Sequence, residues 1–164
     1  MTKLLNLLGG SEMNILYISI SGNTRSFVTR MQQLAIEKHA ENPDFPIIQA
    51  KEVHDNTLDS KETKPFFAIV PTYLEGGNGL DNGDKEILTE ALREYIAYEN
   101  NSSYCLGVVG GGNKNFNHQY CLTAKQYADQ FEIPFLADFE LRGNSSEIEE
   151  IYQLLTEKWT HIAD

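Results

Sequence analysis

The stretch Ser19-Ile20-Ser21-Gly22-Asn23-Thr24 decides the fold. It lies between an apolar run at residues 14–19, which reads as a β-strand, and a segment from about residue 24 to 39 where Phe27, Val28, Met31, Leu34 and Ala35 recur at helical spacing. A strand that passes through a short Ser- and Gly-containing turn straight into an amphipathic helix opens a βαβ unit. Glycine permits the tight turn, hydroxyls offer hydrogen bonds, and the free amides of the helix's first turn point at whatever the loop holds. Such a turn binds a phosphate without a lysine. Ser19, Ser21, Gly22, Asn23 and Thr24 are therefore candidate phosphate ligands, with Ser26 near enough to assist. Read alone, the stretch fits a plain capped helix start equally well.

The alternation continues downstream. Residues 45–50 read as a weaker second strand and 66–70 as a strong third one. Ile87, Leu88, Ala91, Leu92, Tyr95 and Ile96 mark a helix starting near residue 84, followed by a nearly all-apolar strand at 104–109 expected to be central. Tyr120, Ala124, Tyr127 and Phe131 give another helical face, residues 133–141 hold the last strand, and Ile148, Ile151, Tyr152, Leu155 and Trp159 give the closing helix. Ser145 and Ser146 offer a cap for that helix, with Glu147, Glu149 and Glu150 in its first turn, where carboxylates complement the dipole. The pattern predicts an α/β fold: a doubly wound, five-stranded parallel sheet with helices on both faces.

In such a sheet, ligands bind beyond the carboxyl ends of the strands at the switch point, so two further loops are informative. One is Pro71-Thr72-Tyr73-Leu74-Glu75-Gly76-Gly77-Asn78-Gly79, where a glycine pair lets backbone approach a flat ring and reorient at little steric cost. The other is Gly110-Gly111-Gly112-Asn113-Lys114-Asn115-Phe116-Asn117, where three glycines expose backbone amides and Phe116 has a ring to lay against a ligand. Eight of the 12 glycines fall between Gly76 and Gly112, more than a structural loop set alone requires. A flexible surface loop is the other reading of the first of these stretches.

The strand-Ser-x-Ser-Gly-Asn-Thr motif resembles the flavodoxin phosphate loop. With the two later loops in order, roughly residues 14–155 resemble the flavodoxin-like activators of class Ib ribonucleotide reductase, the NrdI family. The resemblance implies a flavodoxin-like fold and one flavin mononucleotide (FMN). Its phosphate would lie on the first loop. Its ring would lie against Thr72, Tyr73, Leu74, Glu75, Gly76 and Gly77 of the second and Gly110, Gly111, Gly112, Asn113, Asn115 and Phe116 of the third. Family members often carry Gly-Asn-Arg-Asn-Phe-Gly in the third loop; here Lys114 keeps the charge and Asn117 replaces a glycine. The implied activity is that of an accessory activator. Electrons arrive from a reductase or a glutaredoxin-like donor, and reduced flavin supplies an oxygen-derived oxidant, superoxide, to the dimanganese small subunit of the reductase. The alternatives are a general flavodoxin acting as a one-electron carrier, and a cofactor-free binding module. The intact Ser21-Gly22-Asn23-Thr24 speaks against the module.

Bulk properties narrow the classes further. The chain has 164 residues, 41% hydrophobic and 23% charged, as expected of one globular core. Its net charge of −11 would repel nucleic-acid phosphates and anionic lipid, which leaves a basic protein surface as the expected partner. Two cysteines, Cys105 and Cys121, argue against a disulfide framework, and the run Leu4-Leu5-Asn6-Leu7-Leu8 is too short to span a membrane. A cytoplasmic protein is expected, with residues 1–12 as an extension and 13–164 as one domain. No catalytic residue and no metal site is expected; His118 and Cys121 have a metal-like spacing but no second pair.

Overall fold

A computed structural model describes residues 12–75 and 85–162, without the side chains of residues 117 and 118. The sheet has five parallel strands: β1 (Glu12–Tyr17), β2 (Ile47–Glu52), β3 (Phe66–Pro71), β4 (Cys105–Gly112) and β5 (Phe135–Glu140). They lie in the order β2-β1-β3-β4-β5, so the chain leaves β1 toward one edge and resumes on its other side with β3. The switch point therefore falls between β1 and β3. All six residues of β3 are buried, and this strand, rather than the nearly all-apolar β4, is the middle one. β4 is interior, paired to β3 and β5.

Helices α1 (Asn23–Glu41), α2 (Glu90–Ala97), α3 (Leu122–Phe131) and α4 (Ser145–His161) cover both faces. Side chains alternate across a strand, and the core divides accordingly. Ile15, Tyr17, Phe67 and Ile69 pack with Phe27, Met31, Ile151 and Trp159 of α1 and α4. Leu16, Ile18, Phe66, Ala68 and Val70 pack with Leu92, Tyr95, Ala124 and Tyr127 of α2 and α3. Both faces of the sheet are thereby removed from water, each fully buried large side chain contributing about 1.5–3 kcal/mol.

Strand ends shift by up to three residues from the sequence reading, and three differences bear on the site and its surroundings. Ile87 and Leu88 precede α2: the segment is held in extended pairing with residues 73–75, and Leu88 turns out with φ 70. The triplet Gly110 to Gly112 belongs to β4, where it pairs with Asp138, Phe139 and Glu140. Asn144, rather than Ser145 or Ser146, caps α4, accepting from the Glu147 amide while the Glu147 carboxylate reaches back to the Asn144 amide. Of the expected extension, residues 1–11 lie outside the described residues, and Glu12 is already part of β1.

Candidate functional site

A cleft of about 280 Å³ opens at the carboxyl ends of the strands. Eight of the residues singled out in the sequence line it: Asn23 from the start of α1, Thr72, Tyr73 and Leu74 after β3, and Gly111, Gly112, Asn113 and Phe116 at the end of β4 and beyond. Pro71, Ile87, Gln119 and Leu141 complete the wall, and none of the four was a candidate ligand contact in the sequence. Leu141 follows β5 with φ 56 and half-exposed, while the fully buried Gln119 ends a 3₁₀ turn at Lys114–Gln119.

The first loop is built around Gly22, which has φ 96 and open space where a Cβ would stand. A left-handed residue at this point turns β1 into α1, and only glycine adopts it without strain. The Ser19 hydroxyl accepts from the Arg25 amide at 3.1 Å, and the Ser26 hydroxyl accepts from Arg30 Nε at 3.2 Å. Thr24 is buried and Ser21 is exposed. Ser21 Oγ accepts from the Tyr73 hydroxyl at 2.9 Å, so the first two loops touch directly. No acidic side chain occupies the first turn of α1, leaving its free amides and positive dipole end to an anion.

The second loop is clamped at its base. The Ile87 amide donates to the Tyr73 carbonyl at 3.0 Å and the Glu75 amide to the Lys85 carbonyl at 2.8 Å. Glu86, between them, is buried: its carboxylate accepts from Thr89, from Arg93 Nε at 2.7 Å and from the Tyr127 hydroxyl at 2.6 Å. Burial first, and the Glu86 charge second, push the Tyr127 phenol well above its ordinary value, so it remains a donor. The Thr72 hydroxyl accepts from the Thr123 amide at 3.3 Å, supplying α3 with a cap from another element. Gly76 and Gly77 lie outside the described residues.

The third loop continues from glycines that have a packing reason. A Cβ on Gly110 would stand 2.8 Å from that of Ala124, and one on Gly112 would stand 2.9 Å from the Cys121 backbone nitrogen. Gly110 accordingly faces α3 and does not line the cleft. Beyond them, Asn113 Oδ1 accepts from the Asn115 amide at 2.9 Å, and Glu140 holds the Lys114 amide at 3.0 Å. Phe116 is left 44% exposed at the cleft rim. Arg30 of α1 anchors the far side by donating to the carbonyls of Arg142 and Gly143.

Beside the first loop, Glu52 at the end of β2 binds Arg25 in two contacts, 2.8 and 2.6 Å, and accepts from the Tyr17 hydroxyl at 2.9 Å. Chiefly through Arg25, its carboxyl is held below the usual carboxylate range. The carboxylate next to the candidate anion site is thus neutralised. A group with a depressed folded-state value contributes stability above its unfolded value, here 4.5, and loses it as pH falls through the folded one. Glu52→Gln is expected to flatten the acid limb of a plot of denaturation midpoint against pH below about 4.5. An unchanged acid limb would contradict the ion pair. Burial pushes both thiols up to about 12, so neither is a nucleophile near neutral pH. Among the described residues no group of three His, Cys, Asp or Glu gathers to hold a metal, and no helix is long and apolar enough to cross a membrane.

The sequence model of the family described as NrdI Flavodoxin like matches residues 15–153. An NrdI-like protein of Streptococcus pyogenes serotype M18 is 51% identical over 150 residues, covering 92% of this chain and 96% of its own. Protein NrdI of Malacoplasma penetrans is 29% identical over 148 residues, covering 88% and 91%. Among solved structures, a short-chain flavodoxin associated with a non-canonical PDU bacterial microcompartment is similar in fold, with a TM-score of 0.62 at 13% identity over 93% of this chain and 99% of that one.

Proposed function

The chain belongs to the NrdI flavodoxin-like family, and on that premise we propose that it is an FMN-binding activator of a class Ib ribonucleotide reductase. Fold and family together imply a flavin cofactor. The observation that carries the finer reading is the meeting of three loops at one cleft: Asn23 of the first, Tyr73 of the second and Phe116 of the third line it, and the Tyr73 hydroxyl ties it to Ser21 beside the uncovered first turn of α1. The donor set suits FMN. Ser19, Ser21, Thr24 and the first amides of α1 would hold the phosphate, and residues 72–75 and 113–116, with Leu141, would flank the ring.

When bound, FMN supplies redox chemistry and, in its reduced form, reactivity toward dioxygen. The chain's own contribution is to position it and to leave it accessible. The only tryptophan, Trp159, is buried under α4 in the core, so no indole of this chain covers the cleft. Electrons delivered by a reductase or a glutaredoxin-like donor would then end on dioxygen, one for each superoxide released to the dimanganese small subunit. The net charge of −11 would steer the protein toward a basic patch near the partner's metal site, with an association rate that falls as salt rises. The reading assigns the protein to the cytoplasm.

Mixing the photoreduced protein with the manganese-loaded small subunit and oxygen is expected to generate the partner's tyrosyl radical, detected by electron paramagnetic resonance. A radical yield no higher than with a general flavodoxin would reject the activator role and favour a one-electron carrier.

A further inference from the structure

We propose that Tyr73 positions Ser21 for a phosphate, and so makes the cleft select a phosphorylated flavin over an unphosphorylated one. The assignment rests on the flavin reading above. The Tyr73 hydroxyl donates to Ser21 Oγ at 2.9 Å across 52 positions of sequence, a direct side-chain link between the second loop and the first. A serine hydroxyl has one proton and two lone pairs. With one lone pair taken by Tyr73, the Ser21 proton stays free, and accepting a bond makes it a better donor. A phosphate offers only acceptors, so it needs Ser21 turned to donate. Without Tyr73 the hydroxyl is free to rotate on an exposed side chain.

The placement of Tyr73 is over-determined. Its carbonyl accepts from Ile87, its neighbour Leu74 bridges to Glu86, and Glu86 is locked to the half-buried Arg93 and to Tyr127 of the core. The tyrosine thus reaches out from a rigid base, and its hydroxyl meets Ser21 at little further cost in side-chain freedom. Because Tyr73 also lines the cleft, a single residue connects the wall beside the flavin's body with the loop that takes its phosphate. Tyr73→Phe keeps that wall and removes only the link.

The test is fluorescence titration of wild type, Tyr73→Phe, Ser21→Ala and the double variant with FMN and with riboflavin. Tyr73→Phe is expected to raise the dissociation constant for FMN about fivefold, the scale of one neutral hydrogen bond, and to leave that for riboflavin within about twofold. In the Ser21→Ala background Tyr73→Phe should add no more than about twofold, because the bond it would break is already gone. Equal weakening of both flavins, or full additivity of the two substitutions, would overturn the assignment and leave the flavin reading intact. Binding of neither flavin by the wild type would overturn both.

Discussion

Replacing Ser21 and Thr24 together by alanine is expected to raise the dissociation constant for FMN by about 10²- to 10⁴-fold, since each hydrogen bond to a charged group contributes roughly 1.5–3 kcal/mol and 1.4 kcal/mol is tenfold. The two hydroxyls flank Gly22 at the point where β1 becomes α1. Thr24 is 2% exposed, so its hydroxyl has little access to water and a ligand phosphate would be a natural partner. The loop would survive the substitution: Gly22 keeps its left-handed turn, and the Arg25 amide stays on Ser19. Isothermal titration with FMN, beside a thermal melt that reports folding, measures the effect. A double variant that binds FMN as tightly as the wild type would move the phosphate elsewhere.

The second large effect lies one layer deeper. Arg93→Ala leaves the buried Glu86 carboxylate with two neutral donors, Thr89 and Tyr127, and no cation. Breaking a buried ion pair from one side costs about 3–5 kcal/mol, and because the Arg93 side chain is itself 33% exposed and two donors survive, this site lies at the lower end, about 3 kcal/mol. For a chain of this size that corresponds to a fall in melting temperature of roughly 6–12 °C. Glu86→Gln in the Arg93→Ala background removes the stranded charge while keeping an acceptor, and should recover part of the loss. A melt within about 1 °C of wild type for Arg93→Ala, or a further fall in the double variant, would show that the pair does not hold the base of the second loop.

Much of the architecture was legible because βα alternation and binary patterning reflect burial. The face-by-face alternation of Leu16 and Ile18 against Ile15 and Tyr17 follows from the strand period, and the α1 stripe of Phe27, Val28, Met31 and Ala35 from the helical one. What periodicity could not show was backbone pairing. Ile87 and Leu88 extend the helical pattern of α2, yet the segment pairs with residues 73–75, and Glu86 within it is bonded to Tyr127, 41 positions away. The glycine triplet signalled a close approach but not its object, because a missing Cβ makes room for a helix as readily as for a ligand. Gly110 and Gly112 proved to make room for α3 and the chain entering it. Leu141 and Gln119 carried no signal, since each reaches the cleft through the path of a loop. The turn at Gly22 from β1 into α1 was readable because strand, turn residues and helix were contiguous in sequence.

Titration of the flavin-free protein with FMN, followed by absorbance and flavin fluorescence, tests the cofactor assignment most directly. The expected result is saturation at one FMN per chain, a bound yellow chromophore with quenched emission, and weaker binding of riboflavin. Unchanged free-flavin emission throughout the titration, with no bound chromophore at stoichiometric FMN, would contradict it.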